Sequence, residues 1–140
     1  ANSALIIVPL LTAGLETDAV LADKETLAAL LSGTTDEQTT MGRKVLTDAD
    51  LAAVPSPDHT NDRMDISVPT VVWASATGSA ISKLAVCYDP DTTTGTDADI
   101  IPLTVMDFVQ TPSGANIACS SASLPALLEA RMRRWVMVGR

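Results

Sequence analysis

The chain has 140 residues, of which 46% are hydrophobic and only 3% aromatic, and its formal net charge is −8 at pH 7. This length suffices for one domain with a buried core, and a core so poor in rings must be filled with Ala, Val, Leu and Ile. The acidic charge argues against nucleic acid as the main partner, because phosphate contacts need Lys and Arg.

Charge is unevenly distributed along the chain. Positions 1–130 hold all seventeen acidic residues and five basic ones, a net charge of −12, whereas positions 131–140 hold four arginines and no acid, a net charge of +4. Such a split can steer a basic terminus onto an acidic neighbour, including another copy of the chain. It equally suits the C-terminal end of a helix dipole.

An apolar strand and a short helix are predicted near the N-terminus. Residues 4–11 read ALIIVPLL and predict an edge strand, or a strand that ends at Pro9, because proline has no N–H to donate. Leucines at helical spacing follow, with Asp23 as the N-cap and Gly33 as the stop, and they predict one helix near residues 24–32. Its apolar stripe would pack over one end of a sheet.

The middle of the chain alternates short strands with polar turns. Residues 43–46 and 64–68 show strand patterns, residues 71–73 continue the apolar character, and residues 48–51 resemble a single helical turn. A longer antiparallel hairpin follows over residues 81–108, the central feature of the chain. Its strands alternate apolar side chains, and they are joined by the loop DPDTTTGTDAD, which is too polar to be buried.

A last strand is predicted over residues 115–120, and the pattern then becomes helical. Ser123 before a Leu-Pro pair is a usual helix opening, and apolar residues at helical spacing predict an amphipathic C-terminal helix over residues 124–137. Cys87 and Cys119 lack metal-ligand spacing and are expected to be core thiols, with a disulfide between neighbouring strands as the alternative. No stretch resembles a signal peptide or is long enough to span a bilayer, so we expect a soluble chain with no membrane partner.

Two groups of polar residues are candidates for chemistry. His59, the only histidine, is close to Asp58 and Asp62, as a general base oriented by a carboxylate would be, but no nucleophile motif accompanies it. The composition of this stretch is typical of an ordinary loop. We therefore expect no catalytic residues, no cofactor, no small-molecule substrate and no enzymatic activity.

The loop of the central hairpin offers the second candidate. Asp89, Asp91, Asp97 and Asp99 are hard oxygen ligands of the kind that calcium prefers, which makes them weak candidates for a cation site. Their spacing does not match an EF-hand loop, because the twelfth position is Ile100. A solvated hairpin loop without a metal is the favoured interpretation.

Several blocks of the sequence together resemble a known class of protein. They are VPTVVWASATG (68–78), KLAVCYDPDTTTGTDADIIPLTVMDF (83–108) and TPSGANI (111–117), preceded by GRKVLTDADL and TNDRMDISV. This pattern is similar to small accessory structural proteins of tailed bacteriophages. The resemblance covers most of the chain from about residue 23 to residue 117. It implies an all-β sandwich with a minor helix, present in many copies in the particle, and it identifies no catalytic residues.

The sequence thus predicts a single mainly-β domain over residues 1–140, a β-sandwich with one short helix after the first strand and a second at the C-terminus. We expect a virion protein, assembled in the host cytoplasm, that decorates or cements the capsid by contacting the major capsid protein and other copies of itself. The alternatives are a tail, neck or fibre-base component and a cation-dependent module that binds the host surface. Partner contacts are expected in residues 1–11 and 124–140. The residues named for them are Leu5, Ile6, Ile7, Val8, Leu127, Leu128, Arg131, Arg133, Arg134, Trp135 and Arg140.

Overall fold

The computed structural model describes residues 2–51, 59–60 and 68–120. In this part of the chain the fold is mainly β, with two short helices. The elements in chain order are β1 (Ala4–Leu11), α1 (Asp18–Ala22), α2 (Leu27–Leu30), β2 (Lys44–Leu46), β3 (Val71–Trp73), β4 (Ile81–Asp89), β5 (Ile101–Gln110) and β6 (Ile117–Cys119). An antiparallel sheet of four strands has the order β2-β1-β4-β5, and β3 pairs with β6 in a separate two-stranded sheet.

The first strand is an interior strand that continues past Pro9 to Leu11, so both predicted alternatives, an edge strand and a strand that ends at Pro9, were wrong. β1 pairs with β4 along its whole length and with β2 over Leu5–Ile7. Pro9 fits inside the sheet because its backbone N and O point away from β4. The Pro9 carbonyl accepts from the Gln38 N–H, in the loop on the other side, at 2.8 Å. In an extended strand the N and O of one residue point to the same side, so the missing N–H of Pro9 faces this loop and not β4.

β1 and β4, the two interior strands of the four-stranded sheet, are buried on both faces. One set of alternate side chains packs against the small sheet, and this set comprises Leu5, Ile7, Ile81, Leu84 and Val86. The opposite set packs against the two helices and comprises Ile6, Val8, Leu10, Ala85 and Cys87. The four-stranded sheet is therefore the middle layer, between the small sheet and the helices.

Two short helices replace the single helix predicted near residues 24–32. Asp23 is the C-cap of α1, and Thr26 is the N-cap of α2, where its Oγ1 accepts from the Ala29 N–H at 3.1 Å. The first N–H groups of α2 donate to the carbonyls of Ile100 and Asp97, both at 2.8 Å. The hairpin loop thus satisfies helix donors that have no partner within the helix.

The central hairpin is confirmed, since β4 and β5 pair in antiparallel register and are joined by a polar loop. Strands also form within the stretches 43–46 and 115–120, as predicted, and β3 forms at 71–73, where the sequence showed only continued apolar character. Val68 is buried, whereas the rest of the strand predicted over 64–68 and the helix predicted over 124–137 lie outside the described residues. No helix in the described ranges is long and apolar enough to cross a bilayer.

The two cysteines are not joined by a disulfide. Cys87 lies on the helix-facing side of β4, and Cys119 belongs to the small sheet that packs on the other side. The four-stranded sheet therefore separates them, and the alternative of a disulfide between neighbouring strands was wrong. Burial raises the pKa of the Cys119 thiol, as expected for a core thiol.

Candidate functional site

The loop between β4 and β5 is the most polar feature near the sheet, and its aspartates hold the loop in shape. The Asp91 carboxylate accepts from the Thr93 N–H at 3.0 Å, from its Oγ1 at 2.5 Å and from Thr94 Oγ1 at 2.6 Å. Asp99 Oδ2 accepts from the N–H and the Oγ1 of Thr96, both at 2.9 Å. These are local Asp–Thr turns, in which the side chain replaces a backbone acceptor.

The other two aspartates of the loop point to different partners. Asp89 is buried, with 5% of its surface exposed, and its Oδ1 accepts from the Asp91 N–H at 3.0 Å. Asp97 is held by Arg43. Among the described residues, no group of three or more acidic, histidine or cysteine side chains is placed to hold a metal ion. The carboxylates of Asp89, Asp91, Asp97 and Asp99 do not converge on one point, because each is directed to its own donors.

Arg43 joins this loop to the turn that precedes β2. Its Nε lies 3.0 Å from each Glu37 carboxylate oxygen, and its Nη2 lies 2.7 Å from Glu37 Oε2. The same guanidinium donates to both Asp97 oxygens, at 2.6 and 2.8 Å. Hydrogen bonds from Arg43 hold the pKa of the Asp97 carboxyl below its usual range, and those to Asp97 and Glu37 raise the pKa of Arg43. We call this cluster of Glu37, Arg43 and Asp97 the arginine clamp.

A second ion cluster ties α1 to the central hairpin. Lys83 on β4 is 9% exposed. Its Nζ lies 2.7 Å from Asp18 Oδ1 and also contacts Asp107, the residue opposite it on β5. Burial alone would lower the pKa of Lys83, but the hydrogen bonds to the two carboxylates outweigh it and the pKa is raised. In both clusters the basic side chain is paired with two carboxylates of this same chain.

The sequence analysis predicted no ion pair for Arg43 or for Lys83. For Lys83 a signal existed, because a charged residue stands inside the mostly apolar run ISKLAVCY, and a charge in such a position needs a partner. For Arg43 no local signal existed, since Asp97 is 54 residues away in the chain.

The residues expected to contact partners fall into two groups. Leu5, Ile6, Ile7 and Val8 are only 0–6% exposed on an interior strand. Their side chains are covered by this chain itself, so in this fold they offer no exposed surface to another protein. The second group lies outside the described residues and comprises Leu127, Leu128, Arg131, Arg133, Arg134, Trp135 and Arg140.

His59 is exposed, whereas its expected neighbours Asp58 and Asp62 lie outside the described residues. Among the residues that the structure describes, the large apolar side chains that are exposed are Val20, Val45, Val72, Tyr88, Ile101 and Val109. Of these, Tyr88 and Ile101 are opposite each other on β4 and β5. The sequence placed Tyr88 on an apolar strand face but gave no sign that this end of the face is uncovered.

Acid should destabilise this fold through the carboxylates of its turns. Hydrogen bonds from Arg43 or from threonines lower the pKa of Asp50, Asp91, Asp97 and Asp99 below the ordinary value of 3.8. A lowered pKa in the folded state gives stability that is present above the unfolded value and is lost as the pH falls through the folded value. We expect urea midpoints that are constant near neutral pH and that fall below about pH 4.

A variant in which Thr93 and Thr94 are both replaced by valine provides the control for this pH dependence. It removes two hydroxyl donors to Asp91, so the loss of stability in acid should become shallower. A urea midpoint that stays unchanged down to pH 2 in the unaltered protein would contradict this explanation.

No family model matches the chain, and neither the curated proteins nor the solved structures that were searched include a match.

Proposed function

We propose that this chain is a non-enzymatic structural protein of a tailed bacteriophage virion. In this role it decorates or cements the capsid shell, through contacts with the major capsid protein and with other copies of itself. The observation that carries the proposal is the construction of the hairpin that bears most of the sequence resemblance. Its strand β4 lies inside the four-stranded sheet between β1 and β5, and its loop is fixed by Asp–Thr turns and by the arginine clamp.

A rigid surface loop suits a protein that must present the same shape at every position of a shell. Ordering such a loop before binding reduces the conformational entropy that is lost when a partner binds. The packing of the small sheet on the four-stranded sheet through one apolar cluster further supports the proposal of a β-sandwich, of which these two sheets would be the faces.

The charge distribution supports self-association. The net charge of −12 over residues 1–130 and of +4 over residues 131–140 would draw the terminus of one copy towards the body of another. Contacts by residues 124–140, with arginines and an apolar stripe, remain part of this proposal. The cation-dependent module is not proposed, because the loop aspartates do not converge.

Quantitative mass spectrometry of purified particles tests this function. A shell protein should be present in hundreds of copies per particle, measured against the major capsid protein as the internal standard. About a dozen copies or fewer would contradict the shell role and favour the tail, neck or fibre-base alternative. Absence from the particle would overturn the virion role altogether.

A further inference from the structure

One end of the four-stranded sheet carries an apolar row that crosses all four strands. The row consists of Leu46, Leu5, Tyr88 and Ile101, each directly opposite the next in the strand register. Leu46 and Leu5 are 7% and 6% exposed, whereas Tyr88 and Ile101 are 38% and 37% exposed. The covered half of the row therefore continues into an uncovered half at the start of the hairpin loop.

The uncovered half of this row has an acidic border. Tyr88 and Ile101 flank the loop, whose sequence contains four aspartates and no Lys or Arg. Asp97 is paired with Arg43. In the described part of the chain, no cation lies within ion-pair distance of Asp91 or Asp99, and hydrogen bonds that lower the pKa of both keep them charged.

A partner that fits this surface must combine apolar side chains with positive charge. Residues 124–140 have that chemistry, since apolar residues recur there at helical spacing and the last ten residues carry four arginines and no acid. A basic amphipathic helix binds such a surface by laying its apolar side chains on the row and its arginines over the acidic border.

We propose that Tyr88, Ile101 and the acidic border beside them bind residues 124–140 of a second copy of this chain. This inference rests on the proposed function, because a shell brings many copies side by side. The arm of one copy and the row of the next are different surfaces, so the contact is heterologous and can continue from copy to copy around a closed assembly.

Sedimentation of the full chain over a range of concentrations tests the inference. We expect reversible self-association that weakens as salt rises, because the arginine contacts are screened. Ile101→Lys should weaken it by about tenfold or more, since it places a cation on the row against the arginine-rich arm. Deleting residues 124–140 should abolish it. A monomer at every concentration would overturn the inference.

Val109→Lys is the matched control. Val109 lies on the same strand, β5, and is 73% exposed, but it is near the other end of the strand from Ile101. This variant should associate like the unaltered chain. An Ile101→Lys protein that is folded by circular dichroism and associates unchanged would overturn the inference, as would equal weakening by the two variants.

Isotope mixing separates a second copy from the chain's own terminus. A photo-crosslinking residue at position 88 is introduced into ¹⁵N-labelled protein, which is mixed with unlabelled protein. Crosslinks to residues 124–140 should join labelled to unlabelled peptides. Crosslinks found only within the labelled population would show that the chain binds its own terminus and would refute a second copy.

Incorporation into particles distinguishes this inference from the proposed function. Particles that contain hundreds of copies of the unaltered chain but few of the Ile101→Lys variant would support both. If the variant is incorporated as fully as the unaltered chain, the docking surface is wrong while the shell function stands.

Discussion

Replacing Trp73 by alanine should lower the free energy of unfolding by about 3–5 kcal/mol, the range for removing a buried aromatic side chain. Trp73 is 2% exposed and joins the small sheet to the core, and its Nε1 donates to the Gly42 carbonyl at 2.9 Å. Lys44 Nζ also lies 5.9 Å from the centre of its ring. The measurement is urea unfolding followed by far-UV circular dichroism.

Two further variants separate the causes of that loss. Trp73→Phe keeps a ring but leaves the Gly42 carbonyl without its donor, so a smaller loss of about 1–3 kcal/mol is expected. Val72→Ala is the neighbouring control, because Val72 is 42% exposed and its truncation should change stability by less than about 0.5 kcal/mol. If Trp73→Ala and Val72→Ala were equally stable, the packing of the small sheet on the larger one would be wrong.

Replacing Arg43 by alanine should lower the free energy of unfolding by about 2 kcal/mol. Breaking a fully buried ion pair costs about 3–5 kcal/mol, and the loss is smaller here because the Asp97 side chain is 38% exposed, although that of Glu37 is only 12% exposed. Amide hydrogen exchange of residues 96–100 should become faster, because the loop loses its tie to the turn before β2.

Arg43→Lys is the control for the geometry of the clamp. Lysine keeps the positive charge but lacks the planar fork that reaches both carboxylates together. It should therefore recover only part of the stability lost by Arg43→Ala. An alanine variant that is as stable as the unaltered protein, with unchanged exchange in the loop, would show that the clamp does not fix the hairpin.

The sequence was informative where periodicity and turn chemistry are local. The hairpin of β4 and β5 followed from alternating apolar residues on either side of a loop rich in Asp and Thr, and the structure has it in that place. The position of β1 could not be predicted in this way. Pro9 indicated an edge strand, but β2 pairs with β1 only as far as Ile7. Beyond that point the loop before β2 supplies the partners, through the Asp36 carbonyl and the Gln38 N–H. That arrangement depends on contacts distant in sequence.

The candidate cation site likewise depends on contacts that are distant in sequence and could not be predicted. Four aspartates within eleven residues are compatible with metal binding by composition alone. Which donors each carboxylate meets is decided by neighbouring threonines and by Arg43, which is distant in the chain. The threonines were visible in the loop sequence, and their Asp–Thr spacing was the available signal. The position of Arg43 was not predictable, because it depends on how β2 and the loop meet in space.

Cryo-electron microscopy of the intact particle tests the proposed shell role most directly. We predict density that fits the four-stranded sheet at symmetry-related positions over the whole outer shell, in contact with the major capsid protein and with adjacent copies. Density for this fold confined to the tail or neck, or found nowhere in the particle, would contradict it.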